Sequence, residues 1–338
     1  MRIAVFSTKA YDRQFLDAAN HDATHEFVYF EARLESSTAS LAQGFAAVCV
    51  FVNDCVDAPV LEALAAGGTK VIALRCAGYN NVDLPCAARL GIQVVRVPAY
   101  SPHAVSEFTI GLLLALGRKI CRASTRVREN NFALEGLLGR ELHGKTAGVV
   151  GTGRIGSLVA RALRLGFGCD VLAHDERADP ALQAIGVRYL GMDELMRQSD
   201  IVTLHCPLTP VTRHMINADN IASGKNGFLL VNTSRGALVD AVALIAALKT
   251  GKVGGVALDV YEQESDLFFE DLSNEIIQDD VFQRLLTFPN VLLTGHQAFF
   301  THEAMSAIAA ITLYNLTQVE TGELSENRLT ASNYIESK

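Results

Sequence analysis

At 338 residues with 49% apolar content, the chain can bury a large core, and its length predicts two domains. Its charge is modest, 29 basic against 37 acidic residues, which excludes the basic stripe that a nucleic-acid binder uses to displace counterions. The opening MRIAVFSTKAYDR has only a short apolar run before Lys9 and Asp12, so no signal peptide is expected, and no run approaches the roughly 20 apolar residues that span a bilayer. Cys49, Cys55, Cys76, Cys86, Cys121, Cys169 and Cys206 fall in no metal-like spacing. A cytoplasmic protein without a metal is expected, with reduced thiols that each serve as a small buried hydrophobe.

Strands are predicted in order at 3–7, 26–30, 47–52, 71–74, 93–96, 146–150, 170–173, 201–204, 228–232, 255–258 and 291–293. Helical patterns separate them, so the fold class is α/β, with parallel sheets covered by helices. That is too many strands for one sheet and suits two doubly wound domains. In VPAYSPHAVSEFTIGLLLALGRKI, Ser101 can cap a helix that begins at Pro102 and keeps an apolar face through Leu116. This helix is expected to carry the chain into the second domain. The boundaries predicted are 1–100 with 297–338, and 101–296. The last piece includes an amphipathic helix in THEAMSAIAAITLYNLTQVETGEL that returns to cover the first domain.

Residues 146–156 read TAGVVGTGRIG, a buried strand followed by Gly151, Gly153 and Gly156 with Arg154 and Ile155 between the last two, and then a helix. The first glycine permits a tight turn, the second lets backbone approach a pyrophosphate, and the third lets helix and strand pack closely. The helix start offers N–H groups and the positive end of its dipole. The next strand ends in Asp175, 24 residues past Gly151. An acid there accepts hydrogen bonds from a ribose and repels a phosphate, which favours NAD over NADP. Arg177 reads as a solvated loop residue. His205, Cys206 and Pro207 end another strand at the ligand edge and turn the chain over the cofactor; Thr233, Ser234 and Asp259, at two further strand tips, join the cofactor set.

The strand in GFLLVNTSRGALVD ends beside Arg235, and Glu264 and His296 each follow a strand in the same half of the chain. A guanidinium offers two parallel donors to a carboxylate. Imidazole gives a proton to a carbonyl oxygen or takes it from an alcohol, and a neighbouring carboxylate orients it. The three together describe hydride chemistry on a 2-keto acid. Taken singly, each has a bland reading: Arg235 as a sheet-edge cation, Glu264 as a loop acid and His296 as a core histidine.

The runs GTGRIG, LHCPLT, VNTSRGALVD, ALDVYEQESDLFFED and LLTGHQAFFTHEAM, with LRCAGYNNVD and VPAYSP upstream, resemble the D-specific 2-hydroxyacid dehydrogenase family, and within it the fermentative NAD-dependent D-lactate dehydrogenase branch. The resemblance covers nearly the whole chain. It implies a flavodoxin-like substrate domain beside a Rossmann domain that holds NAD, with the active site in the cleft between them. It implies that Arg235 binds the substrate carboxylate, that His296 is the acid/base and that Glu264 is its partner. Backbone donors around Ala77 and Gly78 are implied to share the carboxylate, and Asp259 to tune the site. A homodimer or homotetramer is implied as well, with the helix after Ser101 in its interface.

One departure from the wider family bears on the substrate. Ser265 to Phe269 and Gln297 to Phe300 put aromatics where many relatives have a proline or glycine-rich stretch, so Phe299 and Tyr100 are expected to narrow the pocket to a methyl group. The expected reaction is reversible reduction of pyruvate to (R)-lactate by NADH. Preference for larger 2-keto acids and a dinucleotide-sensing, corepressor-like binding protein are the alternatives.

Overall fold

A computed structural model describes residues 1–333. The chain divides into two compact units, Met1–Ser101 with Phe300–Lys338, and Pro102–Phe299. In chain order the first unit opens with β1 (Arg2–Val5), α1 (Ala10–Ala19), β2 (Glu26–Tyr29), β3 (Ala47–Val50), α2 (Ala58–Ala66), β4 (Val71–Leu74), α3 (Leu84–Arg89) and β5 (Gln93–Arg96). The second unit begins with α4 (Pro102–Gly117) and α5 (Ile120–Arg128). It continues with β6 (Thr146–Val150), α6 (Gly156–Arg161), β7 (Asp170–His174), α7 (Pro180–Ala184), β8 (Arg188–Tyr189), α8 (Met192–Gln198), β9 (Ile201–Leu204), α9 (Ala218–Ser223), β10 (Phe228–Asn232), α10 (Ala241–Thr250), β11 (Val253–Leu258), α11 (Asp280–Leu286) and β12 (Val291–Leu293). The chain then re-enters the first unit with α12 (His302–Glu320) and β13 (Arg328–Leu329).

The first sheet runs β13-β5-β4-β3-β1-β2, parallel except for β13, which pairs antiparallel with β5. Its parallel part has the flavodoxin-like order. The second sheet runs β12-β11-β10-β9-β6-β7-β8 and is parallel throughout the pairings described. Counting from β6, that is the Rossmann order, and it reverses between β6 and β9.

Burial on both faces explains the continuous apolar strands. In β10, Phe228 and Leu230 face one core with Leu244 and Val256, whereas Leu229 and Val231 face the other with Leu113 and Val149. In the first unit, Ala4 and Phe6 join one core, and Ile3 and Val5 join the other with Leu16 of α1 and Ala309 and Leu316 of α12. Such alternation needs helices on each side of each sheet. Local chemistry sets the helix ends. Asp57, Asp83, Asp240 and Thr301 accept from backbone N–H groups at helix starts, and Gly251 closes α10 in the left-handed region, φ 73°.

Several expectations need correction. The first strand stops at Val5, two residues short of its predicted end, because Ser7 turns left-handed at φ 50°. The two-residue strands β8 and β13 and the helix α5 go unpredicted. Cys121 is exposed, and Cys55 and Cys206 only partly covered, whereas Cys49, Cys76, Cys86 and Cys169 are buried; all seven are free thiols. Among the described residues no helix is long and apolar enough to cross a membrane, and no group of His, Cys, Asp and Glu is placed to hold a metal.

Candidate active site

The order reversal between β6 and β9 puts the glycine loop and His205-Cys206-Pro207 at adjacent strand tips. Open parallel sheets bind ligands in the crevice at such a switch point. Gly151 has φ 87°, and a Cβ there would stand 2.6 Å from the Cys206 nitrogen. A Cβ on Gly156 would stand 1.8 Å from the Gly151 oxygen, so no larger residue fits. Around Gly153 nothing lies within 4 Å of a Cβ position, so the backbone there is open to approach. That open side beside a helix start is where a pyrophosphate would approach, and the residues present fit NAD. Arg154 is exposed beside it and Ile155 partly covered.

Asp175 follows β7, and its carboxylate accepts from Thr152 N at 2.5 Å, Thr152 Oγ1 at 3.1 Å and Arg177 N at 3.1 Å. Burial pushes its pKa up, but these donors together outweigh burial and hold it below the usual carboxylate value. It is therefore ionised at neutral pH. Tyr189, on the unpredicted β8, supports the arrangement by donating to Thr152 Oγ1 at 3.0 Å. The residue His205 keeps some surface, but its Nε2 is shut off from solvent and has no hydrogen-bond partner. Burial lowers its pKa to about 3, so it is neutral. The Cys206 thiol is pushed up to about 11 by burial and stays protonated. Pro207 is exposed at the start of the following loop. Ser234 donates through Oγ to the Cys206 carbonyl at 2.7 Å, and Thr233 Oγ1 lies 2.8 Å from Thr109 Oγ1 of α4. The first bond ties the β10 tip to the β9 tip, and the second ties it to α4.

Two residues without a role in the sequence reading fix the backbone around Arg235, whose Nη1 donates to the Ser234 carbonyl at 2.7 Å. Asn232, fully buried, accepts from Ser234 N at 3.0 Å and donates to Arg235 O at 2.8 Å, which fixes the turn after β10. Gly236 lets that turn press on the next strand's loop: a Cβ there would lie 2.0 Å from the Tyr261 carbonyl carbon. The asparagine ahead of the arginine and the glycine behind it were the available signals.

Glu264 and His296 meet directly. Glu264 Oε2 accepts from Tyr261 N at 2.9 Å, and Oε1 sits 2.8 Å from His296 Nδ1. Their side chains are 19% and 17% exposed, so each keeps one edge toward solvent. A carboxylate on Nδ1 fixes a proton there and leaves Nε2 as the nitrogen that exchanges protons. His296 itself is left-handed, φ 50°, in a region that L side chains seldom adopt. Asp259 holds it there. His296 N donates to Asp259 O at 2.7 Å, while the Asp259 carboxylate accepts from Thr294 Oγ1, Gln297 N and Ala298 N at 2.5, 3.0 and 2.8 Å. Asp259 is wholly buried and gives its carboxylate to the histidine loop. Burial raises its pKa against the pull of those donors.

Phe299 is nearly buried, with its ring edge-on to His296 at 6.4 Å, and Phe269 lies tilted at 5.7 Å. Two aromatic rings thus wall the imidazole. Phe300 belongs to the first unit, where its ring meets Tyr11 at 4.7 Å. Ala77 and Gly78 follow β4, and Tyr100 stands just before Ser101; all three are partly covered residues of the first unit.

Residues 110–298 match the family described as D-isomer specific 2-hydroxyacid dehydrogenase, NAD binding domain. A protein of Schizosaccharomyces pombe named 2-hydroxyacid dehydrogenase homolog 1 is 57% identical over 94% of this chain and 96% of its own. The D-lactate dehydrogenase of Escherichia coli is 52% identical over 97% of this chain and 100% of its own. A solved structure reported as the pyruvate reductase of Chlamydomonas reinhardtii superposes with a TM-score of 0.91 at 43% identity, over 97% of this chain and 98% of that one.

Proposed function

Since the chain belongs to the D-isomer specific 2-hydroxyacid dehydrogenase family and carries its NAD-binding domain, we propose that it reduces pyruvate to (R)-lactate, reversibly and at the expense of NADH. The observation that carries this reading is the His296–Glu264 pair at 2.8 Å, in the same unit as the strand tip that bears Arg235. Bound NADH supplies the hydride. Arg235 grips the substrate carboxylate through two parallel donors, with backbone N–H groups at Ala77 and Gly78 assisting. His296 gives the proton from Nε2 to the carbonyl oxygen, and Glu264 keeps the ring turned for the transfer. Asp259 holds the loop that presents the imidazole. The glycine loop would receive the pyrophosphate on its open Gly153 side, with Gly151 and Gly156 giving the tight turn and close packing that shape it, and Asp175 would accept from the adenosine ribose, with His205, Cys206, Pro207, Thr233 and Ser234 forming the adjoining wall.

Phe269 and Phe299 beside the imidazole support a small substrate side chain, and Tyr100 is proposed to complete that wall. One methylene changes such a preference by about 1–3 kcal/mol. The test is NADH absorbance on mixing with pyruvate, 2-ketobutyrate, phenylpyruvate and hydroxypyruvate, with chiral analysis of the product. Fastest turnover on pyruvate, yielding the R enantiomer, is expected. A higher kcat/KM for phenylpyruvate would favour the reading as a dehydrogenase of larger 2-keto acids. Tight NADH binding without turnover of any of them would make the chain a binding protein.

We also propose that the chain works as a cytoplasmic homodimer or homotetramer. The helix α5 has no buried residue, and Ile120, Val127, Phe132, Leu134 and Leu138 are 52%, 52%, 71%, 80% and 89% exposed in one stretch of chain. So much apolar surface in sequence is stabilised by a second copy. Light scattering that returns a 36.4 kDa particle at micromolar concentration would reject this.

A further inference from the structure

Residues 76–79 of the first unit are held from behind by a side chain that has no part in the chemistry described above. Arg96, the last residue of β5, lies opposite Leu74 in the parallel register with β4. Its Nη1 donates to the Ala77 carbonyl at 2.8 Å, and its guanidinium carbon sits 4.8 Å over the Tyr79 ring. The main chain of Arg96 is itself pinned. Asn315 of α12, 1% exposed, donates through Nδ2 to Arg96 O at 2.8 Å, and Arg96 N donates to Asn327 O at 3.1 Å. Across the turn, the Cys76 thiol donates to Gly78 O at 3.3 Å.

The Ala77 carbonyl and the Gly78 N–H belong to one peptide group. In a trans peptide the two point in opposite directions, so a cation fixed on the oxygen aims the N–H away from itself. A guanidinium on a carbonyl oxygen also draws electron density out of the amide, which makes its N–H a stronger donor, the same polarisation that strengthens bonds along a chain of them. We propose that Arg96 is a positioning residue for substrate binding: it orients and polarises the 77–78 peptide so that the Gly78 N–H meets the substrate carboxylate, without touching the substrate. This rests on the reading that Gly78 is a carboxylate donor. The stack on Tyr79 supplies the second constraint, because it keeps the guanidinium plane from swinging off the carbonyl.

The test uses the full-length chain and two variants. Arg96→Met retains the length of the side chain and removes both charge and donors. It is expected to raise the KM for pyruvate and the Kd of oxamate, a pyruvate-shaped carboxylate, by about three- to tenfold, the scale of one modest hydrogen bond. The kcat should stay within about twofold and NADH affinity should not move. Arg96→Lys, which still puts a cationic donor near the carbonyl, should recover part of the lost affinity. Labelling alanine carbonyl carbon and glycine nitrogen isolates the peptides Ala66–Gly67, Ala77–Gly78 and Ala147–Gly148 in the NMR spectrum. Only the second should shift in Arg96→Met.

An unmoved Ala77–Gly78 signal with unchanged KM overturns the proposal. So does a parallel loss of kcat and NADH affinity, which would mean that Arg96 merely supports the fold. Replacing the 77–78 amide by an ester, which deletes the N–H, separates this inference from its premise. If the ester leaves oxamate binding intact, Gly78 is not a carboxylate donor. If the ester weakens oxamate binding and Arg96→Met does not, the role of Arg96 alone is rejected.

Discussion

Replacing Asp259 with asparagine removes one oxygen from a buried carboxylate that serves three donors, Thr294 Oγ1, Gln297 N and Ala298 N. With its remaining oxygen toward Thr294 and Gln297, the new amide nitrogen faces the Ala298 N–H, donor against donor. An unsatisfied buried N–H costs about 1–3 kcal/mol. The left-handed backbone of His296, φ 50°, stores a comparable ~1–3 kcal/mol, which the same loop must sustain. Loss of the one therefore matches release of the other, and the loop relaxes with the imidazole drawn away from Glu264. At about 1.4 kcal/mol per factor of ten, kcat should fall roughly five- to a hundredfold. The glycine loop lies at other strand tips, so NADH binding should persist. The chain has no tryptophan, and the nucleotide's own fluorescence reports that binding directly. A kcat within twofold of the parent enzyme would refute the reasoning, as would loss of kcat and NADH binding together.

Arg235→Lys retains the charge without the paired donors, so the KM for pyruvate should rise roughly ten- to a hundredfold while NADH affinity holds; steady-state kinetics with unchanged KM would take Arg235 out of the substrate site. Asp175→Ala removes the charge that repels a 2′-phosphate, and the ratio of kcat/KM for NADPH to that for NADH should climb by roughly a factor of ten or more; an unmoved ratio contradicts the ribose assignment. His205 is held at about 3 by burial, whereas the unfolded chain takes up its proton near ~6.5. The folded state binds the fewer protons, so this contribution to stability is complete above ~6.5 and is lost as pH falls toward 3, by about 1.4 kcal/mol per pH unit. His205→Gln should accordingly flatten the acid side of a plot of urea midpoint against pH, and identical slopes would show that the imidazole is not buried.

The glycine loop, the strand ends and the long helix after Ser101 were legible because each leaves a local pattern: Gly151, Gly153 and Gly156 at fixed spacing, apolar runs such as Phe228 to Val231, and Ser101-Pro102 as a helix start. Arg235, Glu264 and His296 stood out by residue type and position after strands, and of the three the structure brings Glu264 and His296 into contact, at 2.8 Å. The supports were not legible. Asn232 and Gly236 act through contacts with Arg235 and Tyr261 that no spacing encodes, and the left-handed conformation of His296 depends on Asp259, which lies at another strand tip. The strands β8 and β13 are two residues long, too short for alternation to show. The helix α5 carries Ile120, Ala123 and Val127 at helical spacing, but it is only nine residues long, rich in arginine, and buries no residue fully in this chain, so its short apolar stripe gave no core face to expect.

The first unit is closed by pieces that arrive last. Its edge strand β13 pairs with β5, and α12 packs against α1, yet the whole of Pro102–Phe299 separates those partners along the chain. A ribosome working from the amino end thus delivers five parallel strands with one flank uncovered, then a complete second unit, and only afterwards the segments that seal the earlier core. The second unit is continuous in sequence and can fold as one piece, whereas the β5 edge of the first stays unpaired until β13 has been made.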